Sequence, residues 1–342
     1  MLEADDSPIV FYQYFDTTDT AYFQKAVRAS FLAGGHRRPI DFRIWNCYDQ
    51  PPCLDGDVYS YDAVALNALA SRGLLRQIPK IIDTDGIFEW MMDTTRYERK
   101  LFALPFITCF TAIICHASDA KGINNVYDIK GRMVSPLKSM MAYYYLMSFC
   151  NYQDRVAGRF SADHLSAHAL AVVNLLSELM GGRAELDRSR LSSFDGVRRF
   201  NQGTVPYFLG FTENLRSMDR DSYAVMYANF TDHSLTEVPL FPTDVLSLGR
   251  RPTGAKLLDC IDLIELIVSA PFQQDICAPA GHLSYMLPAN RKAYPGLIAA
   301  DPLYKRLLEI VSDPDNCVMR FNKGYYEQFP AMEQALLKAL DG

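Results

Sequence analysis

The side chains of this chain that could do chemistry together are one cysteine, one glutamate and two aspartates, far apart in sequence. Cys109 sits in Leu104-Pro105-Phe106-Ile107-Thr108-Cys109-Phe110-Thr111-Ala112-Ile113, an apolar run with β-branched residues and a proline near its start. Such a run reads as a strand entering a core, and packing alone does not require a cysteine in it. A thiol with a pKa of about 8.5 is a weak nucleophile at neutral pH unless a base or a positive field generates the thiolate. Glu213, just past a strand end after Gly210-Phe211-Thr212, is placed to be that base, and Asp244 lies on a later strand read over 238–247. Each has a blander reading. A lone cysteine is often only buried, and Cys115, Cys150, Cys260, Cys277 and Cys317 sit in settings that read as inert. Glu213 and Asp244 could be carboxylates that face a helix start. No cysteine-protease signature surrounds Cys109, and no GxGxxG, Walker loop or GxSxG occurs.

These residues need elements to hold them. A first strand is expected over Pro8–Phe15, then cap residues Asp16-Thr17-Thr18-Asp19, a helix over Ala21–Leu32 and a stop at Gly34-Gly35. Strands follow over Ile40–Trp45 and Asp57–Ala63, with a loop between them and a short helix over Val64–Ser71. Strands alternating with helices indicate an α/β lobe with a largely parallel sheet, and in such sheets ligands bind beyond the carboxyl ends of the strands. Tyr12, Tyr14 and Asp62 fall at that edge, where the tyrosines could simply pack and Asp62 could simply cap a helix.

Ile87–Thr95 reads as a helix and Tyr97–Leu101 as a turn. The Cys109 strand is expected to run unbroken to Cys115, with a crossover to a second lobe near His116–Lys121. Met140–Cys150 reads as a buried helix, with further helices over Ala162–Met180 and Arg190–Gln202. Strands are expected over Val205–Phe211 and Tyr223–Phe230, and a helix over Ala255–Ala270. Tyr285–Asn290 reads as extended, and the last helix runs from about Tyr325 to Leu340. An excursion into a second lobe and a return imply a hinged architecture closing on a small ligand. The lobes are expected as residues 1–115 with about 245–300, then about 116–244, leaving helices over about 301–342 without a lobe.

With 342 residues, two lobes are the expectation for chain length alone. A net charge of −6 without a basic block argues against nucleic acid and anionic membranes as partners. No apolar run reaches the roughly 18 to 20 residues that span a bilayer. The acidic start, Met1 to Asp6, lacks signal-peptide character, which leaves either an intracellular protein or one whose leader is absent here. Twenty Tyr and twenty Phe against two Trp favour walls for a flat ligand as well as a core. His164 and His168 have a metal-compatible spacing but no third ligand, and CxxC is absent, so neither metal nor cofactor is expected. Cys47 and Cys53 are close enough in sequence to bridge across Pro51 and Pro52.

Several blocks together resemble the thiaminase I enzymes (thiamine pyridinylases), which have the type II periplasmic-binding-protein fold. They are Trp45-Asn46-Cys47-Tyr48-Asp49 with the two prolines, Asp57 to Leu66, Gly73-Leu74-Leu75, Ala103-Leu104-Pro105 with Cys109 four residues on, Arg199 to Gly203, and Val205 to Glu213. The resemblance implies an α/β fold of two periplasmic-binding-protein-like lobes around a cleft. It implies a transferase in which Cys109 attacks the aminopyrimidine of thiamine, Glu213 is the base, and a small nucleophile displaces the thiazole. It also places Tyr12, Tyr14, Asp62 and Asp244 around the pyrimidine, while Phe194 and Phe211 stand where tyrosines are expected. Lost hydroxyls change which ligands a site discriminates, so a relative acting on another pyrimidine or pyridinium compound is one alternative. The main alternative is a non-catalytic carrier of a thiamine- or pyrimidine-like ligand on the same fold. The enzyme reading requires the Cys109 sulfur on the cleft floor, facing Glu213.

Overall fold

In the computed structural model the described residues are 7–14, 19–48, 55–121, 123, 126–135, 165–189, 193–219, 223–227, 242–279, 282–312 and 329–341. The strands are β1 (Ile9–Tyr14), β2 (Ile40–Trp45), β3 (Val58–Asp62), β4 (Leu75–Arg76), β5 (Arg96–Tyr97), β6 (Lys100–Leu101), β7 (Ala103–Thr108), β8 (Thr111–His116), β9 (Met133–Val134), β10 (Tyr207–Phe211), β11 (Tyr223–Tyr227), β12 (Thr243–Gly249) and β13 (Leu287–Pro288). The chain divides into two compact units, one built on Met1–Cys109 and Pro242–Pro314, the other on Phe110–Phe241 with the C-terminal helix Phe329–Asp341.

Unit one is organised on a sheet of order β13-β7-β12-β3-β1-β2, with β4 also paired to β12. β1 runs parallel to β2 and β3, as the sequence predicts. The rest of the sheet is not parallel: β12 is antiparallel to both β3 and β7, and β13 is antiparallel to β7. A strand that re-enters a sheet after a long excursion has no short helical crossover to force it parallel. The helix Thr20–Ala33 covers one face of the sheet with Phe23, Val27 and Phe31, one turn apart. Of the four candidate cap residues Asp16 to Asp19, Asp19 is the cap, and its carboxylate accepts the Tyr22 N–H at 3.0 Å. The helix Gly254–Val268 buries Leu263, Ile264 and Ile267, and is followed by Ala270–Cys277, which the sequence does not separate from it. Tyr97–Leu101, expected as a turn, forms part of the small antiparallel ladder β5–β6, with Glu98 and Arg99 both at positive φ.

Unit two holds a sheet of order β11-β8-β10-β9. The helix Leu165–Met180 ends at Gly181 and Gly182, as predicted, and is followed by Arg183–Ser189, which was not. Gly181 and Gly131 both adopt φ > 0, which is what calls for glycine at these two neighbouring turns. Lys130 pairs with Glu178 beside these turns. The predicted helix Met140–Cys150, His164, Cys53, Cys150 and Cys317 lie outside the described residues. Among the described residues no helix is long and apolar enough to cross a membrane.

One correction bears directly on the site. The run from Leu104 to Cys115 is not a single strand. β7 stops at Thr108 and β8 starts at Thr111, and the two belong to different sheets. The chain changes sheets at Cys109–Phe110, before the predicted His116–Lys121. Backbone partners change there: the Cys109 N–H donates to the Pro242 carbonyl, and the Phe110 carbonyl accepts from the Thr212 N–H.

The base of the unit-one sheet depends on Asp57, whose buried carboxylate accepts the Val10 N–H at 2.9 Å and pairs with Lys256 at 2.7 Å. Removing one partner of a buried pair leaves an uncompensated charge and costs about 3–5 kcal/mol. Lys256→Met is therefore expected to lower the urea midpoint of unit one by an amount worth about 3 kcal/mol. Adding Asp57→Asn should recover part of that loss in equilibrium denaturation.

Candidate functional site

Strand directions in unit one bring one group of chemically able residues to a single sheet edge. β1 and β3 run together, β12 runs against β3, and β7 runs against β12. The carboxyl ends of β1, β3 and β7 and the amino end of β12 therefore share an edge. That edge carries Tyr14, Asp62, Thr108 with Cys109 beyond it, and Thr243-Asp244.

Asp62 and Asp244 are directly opposite partners in the β3–β12 ladder, and both are buried, at 1% and 6% exposure. Two carboxylates in that register repel unless a proton or a cationic group lies against them. Asp62 is also the cap that the plain reading of the sequence allowed: its Oδ1 accepts the Val64 N–H at 3.1 Å. Its Oδ2 accepts the Tyr48 hydroxyl at 2.7 Å. Tyr48 was missed by the sequence reading, although it lies three residues past the end of β2 and inside the first block of the family resemblance.

Tyr14 is buried beside this pair, with its ring 6.5 Å from the Tyr48 ring and its N–H bonded to Ser60 Oγ. Tyr12 sits one step back. Its ring stacks on Tyr59 at 5.6 Å, and its hydroxyl donates to Asp55 at 2.9 Å and accepts from Arg43 at 3.2 Å. Burial pushes the Asp55 carboxyl up, but hydrogen bonds from Tyr12 and Arg43, with the Arg43 charge, outweigh it and leave the carboxyl below its usual range. The Trp45 indole N–H bridges the carbonyls of Tyr12 and Ser60 at 3.1 and 3.0 Å, which locks β2 to the adjoining strands.

Cys109 is 7% exposed and lies between β7 and β8. The other cysteines of the described residues are held as thiols. Burial pushes Cys115 and Cys260 up to about 12. Cys277 is raised further, again by burial. Cys47 is raised by burial and then by the charges of Asp62 and Asp244. Cys47 is a free thiol, and its expected bridging partner Cys53 lies outside the described residues.

The remaining sequence-predicted residues belong to unit two. Phe211 ends β10 opposite Thr111 of β8 and is buried. Glu213 sits in the first turn of the 3-10 helix Thr212–Ser217, so the helix-start reading of this carboxylate also holds. Gly210 is required in this element, because a Cβ there would collide with the Phe208 ring and with Asn214 Oδ1. That Asn214 oxygen accepts the Phe211 N–H at 2.8 Å and pins the turn. The Thr212 N–H donates at 3.1 Å to the carbonyl of Phe110, the residue after Cys109. Phe194 lies on the helix Ser193–Asn201, and its side chain is outside what the structure describes. Among the described residues no group of three or more His, Cys, Asp or Glu could hold a metal ion.

No protein-family model matches the chain, and no curated protein sequence does. Solved structures do match, along almost the whole chain. Thiaminase I from Bacillus thiaminolyticus is 21% identical with a TM-score of 0.82, covering 97% of this chain and 99% of its own. Clostridium botulinum thiaminase I in complex with thiamin is 20% identical, also with a TM-score of 0.82, covering 98% of this chain and 100% of its own. The GacH receptor of Streptomyces glaucescens, solved unliganded and with acarbose, is 15% identical with a TM-score of 0.68, covering 97% of this chain and 93% of its own. The chain has the type II periplasmic-binding-protein fold that thiaminase I shares with sugar receptors.

Proposed function

We propose that this protein is a thiaminase I-type transferase. The observation that carries the reading is the end-to-end match to two thiaminase I structures, one of them with thiamin bound. Local chemistry supports it. A cysteine lies at the sheet edge that also carries the buried Asp62–Asp244 pair. The residue after the cysteine is hydrogen-bonded within unit two to the residue before Glu213.

In this reading Asp62 and Asp244 accept hydrogen bonds from the amino group and a protonated ring nitrogen of the aminopyrimidine, which relieves their mutual repulsion and makes the ring electron-poor. Tyr14 and Tyr48 border that ring. Glu213 takes the Cys109 proton, and the sulfur adds to the pyrimidine. The bond from the methylene carbon to the thiazolium nitrogen breaks, its electron pair stays on nitrogen, and a neutral thiazole leaves. A small nucleophile such as a pyridine or aniline then bonds to the methylene carbon, and the sulfur departs from the ring. Phe211 removes a hydroxyl from this surround, which shifts preference toward less polar pyrimidine substituents.

The carrier reading is favoured by one observation, the shared fold with the GacH receptor. A carrier has no use for a reactive thiol. Intact-protein mass spectrometry after mixing with thiamine separates the two: a pyrimidine adduct that disappears in Cys109→Ser supports the transferase, and a parent protein that binds thiamine without an adduct supports the carrier. Cys109→Ser is expected to abolish turnover and keep binding. Turnover at the parent rate in that variant would remove Cys109 from the mechanism. Glu213→Gln should slow turnover by about 10²- to 10⁴-fold with an unchanged circular dichroism spectrum. Tyr48→Phe removes the hydroxyl that holds the orientation of Asp62. It should weaken thiamine binding roughly tenfold or more by calorimetry.

A further inference from the structure

We propose that Thr108 and Thr243 are positioning residues for the reaction, a buried hydroxyl pair that fixes where Cys109 and Asp244 leave their strands. The inference rests on the assignment of Cys109 as nucleophile. Thr108 is fully buried and Thr243 nearly so, and they are opposite partners in the β7–β12 ladder. Their hydroxyl oxygens are 3.1 Å apart. The Thr108 hydroxyl lies 2.8 Å from the Pro242 carbonyl and 3.2 Å from the Cys109 carbonyl. A hydroxyl has one proton. Thr108 therefore donates to the nearer carbonyl, Pro242, and accepts from Thr243. The Cys109 N–H converges on the same Pro242 carbonyl at 3.3 Å.

This arrangement stands where the ordinary ladder ends. β7 stops at Thr108, and β12 has a register irregularity between Asp244 and Val245. The β7 ladder therefore ends before Cys109, while Asp244, paired with Ile107 and with Asp62, borders the irregularity. Alternation along the strands puts Thr108 and Thr243 on one face of the sheet, and Ile107 and Asp244 on the other. In this proposal the hydroxyl pair lies on the face away from Asp244 and touches no substrate. It acts through the two residues that follow its members, Cys109 after Thr108 and Asp244 after Thr243. A misplacement near 1 Å of such groups costs about 10²-fold in rate.

The test compares Thr108→Val, Thr108→Ser and Thr243→Val with the parent in thiamine turnover with a pyridine acceptor. A second readout is the pH profile of Cys109 alkylation by iodoacetamide, followed by peptide mass spectrometry. Both valine variants should lower kcat about 10- to 100-fold, Thr108→Val with KM within about twofold and Thr243→Val with KM raised as well, because it loosens Asp244. They should also change the Cys109 alkylation rate at least about fivefold, because the sulfur's surroundings move. Thr108→Ser keeps the hydroxyl and should restore both within about threefold. A role in stability alone would lower the melting temperature and leave kcat and the alkylation profile of the folded protein at parent values, which would overturn the proposal. Serine failing as badly as valine would overturn it too. If Cys109→Ser turns thiamine over at the parent rate, the nucleophile assignment has failed instead. Alkylation in the valine variants still judges whether the hydroxyl pair sets the Cys109 position.

Discussion

The pairing of β12 between β3 and β7 is the constraint on which the rest of unit one depends. This strand arrives from the far end of a 132-residue excursion through unit two, Phe110–Phe241. It is hydrogen-bonded on both sides. Because it runs antiparallel to its neighbours, its first residues meet the last residues of β3 and β7. That is why Thr243 faces Thr108 and Asp244 faces Asp62. A parallel insertion would have sent Thr243 and Asp244 to the opposite edge, and the two aspartates would never have met.

The edge so formed concentrates acidic groups. Two buried carboxylates are opposed, and the Cys47 thiol is kept protonated by burial and by their charge. Asp62 is braced by Val64 and Tyr48, which hold its orientation whatever occupies the space beside it. Arg43 and Asp41 of the edge strand β2, with Asp55 from before β3, form a separate charged cluster that fixes the Tyr12 hydroxyl. Tyr12 is thus tied to scaffold groups, whereas Tyr14 lies near Tyr48 and Asp62. Charges placed on an edge strand also discourage pairing with another chain.

Within unit two, the glutamate segment shows how local sequence and sheet geometry cooperate. Gly210 leaves the room that the Asn214 side chain needs, Asn214 bonds the Phe211 backbone, and Thr212 bonds Phe110. The Gly-aromatic-x-Glu element is therefore a turn shaped by its own side chains. Its tie to the residue after Cys109 comes from the β8–β10 pairing rather than from the turn.

The sequence by itself determined the elements whose cause is local. The helix start within Asp16–Asp19, β2 at Ile40–Trp45 and the helix end at Gly181 follow from capping, periodicity and glycine's tolerance of positive φ. Asp62 as a cap and Glu213 at a helix start were legible for the same reason. Only the tertiary structure decided the rest. An apolar, β-branched run reads as one continuous strand whether or not its hydrogen-bond partners change midway, so the break at Cys109 was invisible until Pro242 and Thr212 were in place. Strand order and direction arise from residues more than a hundred positions apart, so neither the mixed sheet nor the Asp62–Asp244 register could be derived from local pattern. Tyr48 was hidden likewise, because a loop tyrosine shows its purpose only when a carboxylate is brought to its hydroxyl.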